Sequence, residues 1–569
     1  MRDKSLRGSG VVVLVVLALS LASSAAGQSL ALPAPGAVAP AQGTSGPVRQ
    51  LSINDAIALA LKQNLDLQIQ RLEPQIADES IVQVKTSWVP FLTSSVSNNS
   101  STQPVGSFLS GAVGKLTNDS FSADVGANQN LPWYGGAYSV AWNNSRSKSN
   151  STFQSPNPAV LSNLSFSFAQ PLARNFKIDT VRQQLELAKL TRETSDITLR
   201  QAIILTQRNV RFAYWNLAYA VASLAVQRQS LDLARELLKN NRAKVEVGTM
   251  APIDIIEAEA EVAAREQGVI VAESQVAQSE DNLRTLIFDP SAPDFWNIKL
   301  ELTDKPEFQT PAIEVDAAIK NALERRTDLL QAKNSLRMSD VNIAYTKNQL
   351  LPDVNVQAGY TVAGQGGTEI EFSDTFPPVP IGTGTVGFGQ VMSQMFKNQF
   401  PSWSIGVAFS YPLGTSAAEA TLARTRLQYT QSQIQLRNAE LQVAAQVRDV
   451  GRQVNTNTKR VVATRAAAQL AMKRLEAEQK KMAAGMSTSF LIFQAQRDLA
   501  QAQSDELSAI LDFNKSLVDF EAVQEAPVTG SAGGVSIAGG GSTSAPGNSL
   551  GGAGGITGTV AGNRSRGGQ

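Results

Sequence analysis

The chemistry open to this chain is set first by two residue types that it lacks. Its 569 residues include no His and no Cys. That excludes a Ser-His-Asp triad, a cysteine nucleophile, His or thiolate metal ligation, disulfides and haem thioether links. A lipid on an N-terminal cysteine is excluded with them. Carboxylate, Lys, Ser or Tyr chemistry remains, and catalysis would need such groups to converge in a pocket. The 49 Asp+Glu are scattered along helical stretches at solvated spacing. The expectation is therefore no enzyme, no cofactor and no metal site. With 50 Lys+Arg the net charge is +1, so electrostatics give no reason to expect a nucleic-acid partner.

Two glycine turns stand out instead. Val247-Gly248-Thr249-Met250-Ala251-Pro252 and Ala484-Gly485-Met486-Ser487-Thr488-Ser489 each place Gly where a helix closes in the left-handed conformation. Thr249 or Ala251 before Pro252, and Ser487 to Ser489, suit the start of a following helix. These turns read as the tips of helical hairpins. The elements that carry them are long. Residues 175–247 contain no Pro and no Gly, and residues 415–484 contain only Gly451. At 1.5 Å per residue each stretch makes a rod of roughly 100 Å. Apolar residues recur at three and four spacing, as in Leu224, Leu231, Ala234 and Leu238, and in Ala468, Met472, Leu475 and Met482. Much of the stripe is Ala, which lets helices approach closely in a laterally packed helical barrel. A generic coiled coil is the alternative. Return helices run to Phe288 and to about Val523.

The chain is also written twice. Shifted by 262 positions, residues 51–90 lie over 313–352 without a gap. The identities are Ala56/Ala318, Ile57/Ile319, Ala60/Ala322, Leu61/Leu323, Asp66/Asp328, Leu67/Leu329, Asp78/Asp340, Ile81/Ile343, Lys85/Lys347 and Pro90/Pro352. Farther on, Gln170-Pro171-Leu172 matches Tyr411-Pro412-Leu413, and Gly248 matches Gly485. Each half runs helix, Pro, strand-like region, Pro-Leu, very long helix, Gly turn, helix.

The strand-like regions, about 91–170 and 353–411, are poor in charge and alternate with period two. Trp403, Ile405, Val407, Phe409 and Tyr411 alternate with Ser402, Ser404, Gly406, Ala408 and Ser410. Val354, Val356, Ala358, Tyr360 and Val362 do the same, as do Leu164, Phe166 and Phe168. Apolar on one face and small-polar on the other is the pattern of outer-membrane barrel strands. A soluble β-sandwich is the alternative. Strands that meet lipid must close into a barrel. Four or six strands cannot enclose a water-filled one, so several chains would have to share it. Phe121 to Asn128 and Ala137 to Ser145 also alternate, around Leu131-Pro132-Trp133-Tyr134-Gly135-Gly136. This extra hairpin leaves four or six barrel strands per chain open.

At the N-terminus, Arg2, Lys4 and Arg7 precede an apolar run from Val11 to Ala22 and then small residues. Residues 1–27 read as a secretory signal, the run being short for a spanning helix. Residues 28–50 read as a flexible linker. Residues 526–569, rich in Gly and Ser, read as a disordered tail.

Taken together, the chain resembles the TolC family of outer-membrane efflux proteins. The likeness covers residues 51–523. It rests on the duplicated plan, on Arg325-Arg326-Thr327-Asp328-Leu329 before Leu351-Pro352, on Gln170-Pro171-Leu172, and on Gly485 followed by Phe493-Gln494-Ala495-Gln496-Arg497-Asp498-Leu499. The resemblance implies a mixed α/β membrane protein built from two repeats, 51–288 and 313–525. Its homotrimer would share a β-barrel of four strands per chain, continuous with a long α-helical coiled-coil barrel. Residues 289–312, with 297–302 as a short strand, would form an equatorial collar. The implied function is a passive conduit of a tripartite efflux or type I secretion system. It would sit in the Gram-negative outer membrane lipid and reach into the periplasm, where its helical tip is gated. Implied partners are a periplasmic adaptor (membrane fusion) protein and an inner-membrane RND, ABC or MFS transporter. The other class in play is a periplasmic coiled-coil adaptor or structural protein.

The resemblance assigns adaptor contact to Gly248, Thr249, Pro252, Gly485 and Ser487. Family members often carry inward-facing acids six and nine residues after each tip Gly. Here the first repeat has Asp254 and Glu257, whereas the second has Leu491 and Gln494. The expected constriction is therefore Asp254, Glu257, Phe490, Leu491 and Gln494, with Phe490 and Leu491 packing in place of an ion-pair lock. Acids near a helix N-terminus are also favoured by the helix dipole alone. Nothing in the sequence specifies a cargo.

Overall fold

In the computed structural model the described residues are 48–528, apart from 106–111, 113, 152–153, 292–294, 305–307, 309–312, 375–378 and 415. The signal (1–27), almost all of the linker and the tail beyond Val528 lie outside them. So does part of the equatorial segment.

The duplication reappears in three dimensions at the same 262-residue offset. Helices α1 (Ile53–Gln63) and α2 (Leu65–Lys85) correspond to α5 (Val315–Arg325) and α6 (Thr327–Asn348). Helices α3 (Thr180–Glu246) and α8 (Ala417–Ala483) each have 67 residues. Both are capped at their N-termini by side chains, Asp179 accepting from the Arg182 amide and Ser416 from the Glu419 amide. Helices α4 (Ile253–Ile287) and α9 (Ser489–Ala522) return from the tips.

Helices α3 and α8 run the full length, and their neighbours change part-way. Toward the sheet the packing order is α2, α3, α6, α8; toward the tips it is α4, α3, α9, α8. Small residues make the close approaches. A Cβ at Gly451 of α8 would stand 3.1 Å from Val315 Cγ2 and 3.6 Å from Phe520 Cε2. The α3–α4 hairpin is laced by Arg228–Glu273, Arg235–Glu266 and Arg242–Glu259 at 2.6–2.8 Å. Arg460–Asp512, Arg465–Glu506 and Arg474–Asp498 lace α8 to α9. Exposed pairs of this kind are individually weak. The buried stripes of Val, Leu and Ala between the helices carry most of the stability.

Mid-way along the rods, β1 (Val48–Leu51) pairs in parallel with β6 (Lys299–Leu302). This small sheet closes a core of Leu51, Tyr214, Leu283, Ile287, Phe288 and Phe295. Tyr214 is fully buried, yet both sides of its hydroxyl are used: it donates to the Leu51 carbonyl and accepts from the Asp304 amide, each at 3.1 Å.

At the far end stands one antiparallel sheet, in the order β2 (Phe91–Pro104), β3 (Lys115–Asn130), β4 (Ala137–Ser149), β5 (Ala159–Pro171), β7 (Asp353–Phe372). Strand β7 is long, and two strands share its other edge. Its inner part pairs with β9 (Phe400–Ser410) and its outer part with β8 (Pro380–Val386). The sheet is thus six strands wide. The β3–β4 hairpin lies within its wall, between β2 and β5, which decides between four and six. Its turn folds back on the junction with the rods: Tyr134 stacks on Phe176 at 4.8 Å, and a Cβ at Gly135 would meet the Asn175 carbonyl at 2.6 Å.

Register sorts the faces. Val125, Trp142, Leu164 and Val362 lie opposite one another across β3, β4, β5 and β7, and Phe166, Tyr360 and Trp403 follow on the same face. The other face is a ladder of hydroxyls and amides, including Ser97–Ser122 (2.8 Å), Ser139–Ser167 (2.7 Å) and Asn143–Asn163 (3.0 Å). Apolar toward lipid and polar toward a lumen is the arrangement a barrel wall requires. Among the described residues no helix is long and apolar enough to cross a membrane. One element inside the second strand region is not a strand. Between β8 and β9 the chain leaves the sheet as helix α7 (Phe388–Phe396). Phe388, Val391, Met392 and Met395 recur there at helical spacing, a signal the strand reading passed over.

Candidate functional site at the helical hairpin tips

Both tips close by the same geometry. At the first, Gly248 has φ +78°, and the Thr249 amide reaches back to the Lys244 carbonyl at 2.9 Å. At the second, Gly485 has φ +75°, and the Met486 amide reaches the Lys481 carbonyl at 2.8 Å. Nothing lies within 4 Å of a Cβ added to either glycine. The glycines are required by backbone conformation and not by space. The Thr249 hydroxyl adds a bond to the Lys244 carbonyl, and Pro252 stands at the N-cap of α4. Ser487 donates to Glu478 at 2.8 Å, and Lys481 pairs with the same carboxylate. The Lys481 and Ser487 bonds hold Glu478 below the usual carboxylate range.

The residues expected at the constriction divide. Glu257, Phe490 and Gln494 line one groove between α4 and α9, beside Glu261, Phe493 and Arg497. Asp254 and Leu491 are not part of that lining. Asp254 is half-buried in the first turn of α4 and Glu257 is exposed; neither forms an ion pair among the described residues. Within one chain Phe490 is 63 % and Leu491 40 % exposed, so both present apolar surface and neither joins the buried core. Their neighbours do. Ile492 and Phe493 are buried with Leu237, Ala258, Leu475 and Leu499, where α3, α4, α8 and α9 meet.

Two polar links tie the repeats together here. Asn241 of α3 is fully buried. Its Nδ2 donates to Ser489 Oγ at 3.2 Å and to the Asp254 carbonyl at 3.4 Å, spanning the starts of both return helices. Two turns deeper, Glu261 of α4 is 4 % exposed and is gripped by two arginines. Arg265, on the same helix, donates at 2.6 and 2.8 Å. Arg497 of α9 donates through Nε at 3.1 Å and pairs again through its outer nitrogen. Burial pushes the Glu261 carboxyl up, but the Arg497 and Arg265 contacts outweigh it and hold the group below its usual range. The backbones of α4 and α9 otherwise approach closely at few points. Sequence reasoning passed over Asn241 and Glu261, and took Arg497 only as part of the motif after Gly485. The one available signal was a carboxylate and a guanidinium at nearly equal distances past the two tip glycines.

The model of one protein family, outer membrane efflux protein, matches residues 136–287 and 318–522. The chain belongs to that family. It is an outer-membrane efflux channel, placed in the outer membrane of a Gram-negative bacterium and extending into the periplasm; the coiled-coil adaptor reading is not favoured. No curated protein sequence matches the chain. Several solved structures share its fold at low identity. CusC has 14 % identity and a TM-score of 0.58, over 84 % of this chain and 92 % of that one. The Campylobacter jejuni CmeC outer membrane channel has 14 % identity and a TM-score of 0.58, over 83 % and 85 %. The open state of the Neisseria gonorrhoeae MtrE outer membrane channel has 17 % identity and a TM-score of 0.56, over 83 % and 89 %.

Proposed function

We propose that three copies of this chain close one barrel and one helical tunnel, and that the tunnel is gated at its tips. The carrying observation is the pair of free sheet edges. Among the described residues, strands β2 and β9 have no partner on their outer sides, and every residue of β9 is exposed. An unpaired edge of that length does not persist in lipid. The six strands alternate in direction, so β9 of one copy meets β2 of the next antiparallel. Three copies of six strands make eighteen. Barrel diameter grows roughly linearly with strand number, so this exit is about 1.5 times as wide as one of four strands per chain.

At the other end, Asp254, Glu257, Phe490, Leu491 and Gln494 face the space the copies share, and the Glu261–Arg497 pair latches α4 to α9. The turns at Gly248, Thr249, Pro252, Gly485 and Ser487 are the surface offered to a periplasmic adaptor, behind which stands an RND, ABC or MFS transporter. The channel itself is passive. Because the chain has no Cys, introduced pairs are unique. Cysteines stepped along β2 (from Leu92) and β9 (up to Phe409) should cross-link to covalent trimers in isolated outer membranes. Absence of any inter-chain product, or products stopping at dimers, would refute the closure.

A further inference from the structure

The position of α7 is unusual for a helix beside a barrel, because it lies on the apolar face of the sheet. Val391, Met392 and Met395 pack there. Met392 and Met395 place their sulfurs 3.8 Å from Ser162 Oγ, and a Cβ at Gly364 would stand 2.3 Å from the Val391 carbonyl oxygen. Ser162 and Gly364 are direct register partners on the face that carries Leu164 and Val362. The helix covers a polar cluster that lipid would not tolerate: Trp142 Nε1 donates to Ser162 Oγ (3.0 Å), which donates to Asn144 (2.6 Å). Gln394 Oε1 also accepts from the Gln365 amide, in the stretch of β7 that neither β8 nor β9 pairs. Phe388 and Phe396 remain exposed, next to exposed Phe400 and Trp403.

At the same height and just above it, the charges on this face are mostly basic. Arg146, on β4, is level with Val160 and Gly366, and Lys148 and Lys115 lie farther out. All three are exposed and unpaired among the described residues; the one acid on this face, Asp119, hydrogen-bonds to Ser100. The carboxylates of Asp124, Glu369 and Glu371 stand on the opposite, lumen face.

We infer that α7 is an interfacial helix seated at the outer acyl–headgroup boundary, and that Arg146, Lys148 and Lys115 take the phosphate headgroups of the outer leaflet. An amphipathic helix with exposed aromatics beside a basic belt has the composition of such a surface. It is continuous with the lipid-facing band below. The inference rests on the closed barrel proposed above.

The test uses the full-length trimer in vesicles, with single cysteines carrying an environment-sensitive fluorophore at Phe396→Cys and, on the lumen face, at Ser404→Cys. The expected result is that nitroxide lipids quench the Phe396 label several-fold more than a soluble quencher does, with the reverse at Ser404. Equal aqueous quenching at both sites overturns the inference. So does shielding of the Phe396 label from both quenchers, which would place a neighbouring copy over α7. In a second arm, adding lipid A to phosphatidylcholine vesicles should raise the dissociation temperature of the trimer. R146Q/K148Q should lose that rise while keeping the wild-type value in phosphatidylcholine alone. An undiminished rise in the double variant, or the same rise from inorganic phosphate, refutes the headgroup assignment. Failure of the barrel reading would show differently, as loss of the trimer itself.

Discussion

The Glu261–Arg497 pair gives the sharpest test of gating at the tip. In R497Q, Glu261 keeps Arg265, so its carboxylate is not orphaned; what is lost is the tie between α4 and α9. A hydrogen bond to a charged group contributes about 1.5–3 kcal/mol. Arg497 is 58 % exposed, and solvent screening reduces the figure to about 1 kcal/mol. If the three latches of a trimer release together, the closed state loses about 3 kcal/mol, on the order of a 150-fold change in the open-to-closed ratio. Single-channel recording in planar bilayers reads this as a rise in open probability. E261Q should act in the same direction, and the double variant should open the channel little more than E261Q, since both remove the same α4–α9 interaction and the Arg265 pair lies within α4. R474Q is the control, because its partner Asp498 lies within the α8–α9 hairpin. The pH dependence follows from the lowered folded-state pKa of Glu261. The contribution is present above the ordinary carboxylate pKa and is lost as pH falls through the depressed one. Wild-type gating should therefore be flat across neutral pH and loosen only in strong acid. Unchanged open probability in R497Q, or strictly additive effects in the double variant, would refute the latch.

Other outcomes follow from backbone and packing. Gly485→Ala and Gly248→Ala should each cost about 1–2 kcal/mol from the left-handed conformation alone, with Gly485→Asn recovering part of it. Limited proteolysis at the tips reads this, and no effect would mean that the turns relax freely. Gly451→Val should cost about 1–3 kcal/mol by driving α8 off Val315 and Phe520, seen as a lowered melting temperature. Tyr214→Phe leaves the half-buried Asp304 amide without its acceptor, while the Leu51 carbonyl keeps the Thr303 amide. A loss of about 1–3 kcal/mol is expected in the same melt.

What the sequence shows and what it hides follow from the range of the interactions. The rods are legible because their cause is local: long runs without Pro propagate helix, and a Gly in the left-handed conformation ends it at Gly248 and Gly485, whereas Gly451 is carried inside α8. The barrel faces are legible because side chains alternate along a strand whatever its partners. Strand order is different. Whether the hairpin around Leu131 to Gly136 stands in the wall or outside it depends on β2 and β5, which pair with its two sides. The latch is the extreme case. Glu261 and Arg497 lie 236 residues apart, and each alone looks like a solvated helix charge. Helix α7 was hidden for another reason, since the charge-poor composition around it speaks for strand.

The lacing of the α3–α4 hairpin sets how that arm can move. Arg228, Arg235 and Arg242 step by seven residues, and Glu273, Glu266 and Glu259 step back by seven. A slide of four residues toward the barrel would bring the arginines against Ala277, Ile270 and Ala263. The two helices therefore share one allowed alignment, like the teeth of a zip. The arm keeps a fixed length, and what it can do is swing. Distance from the membrane to the tip turn is then a constant of the molecule, measured out in residues by the chain itself.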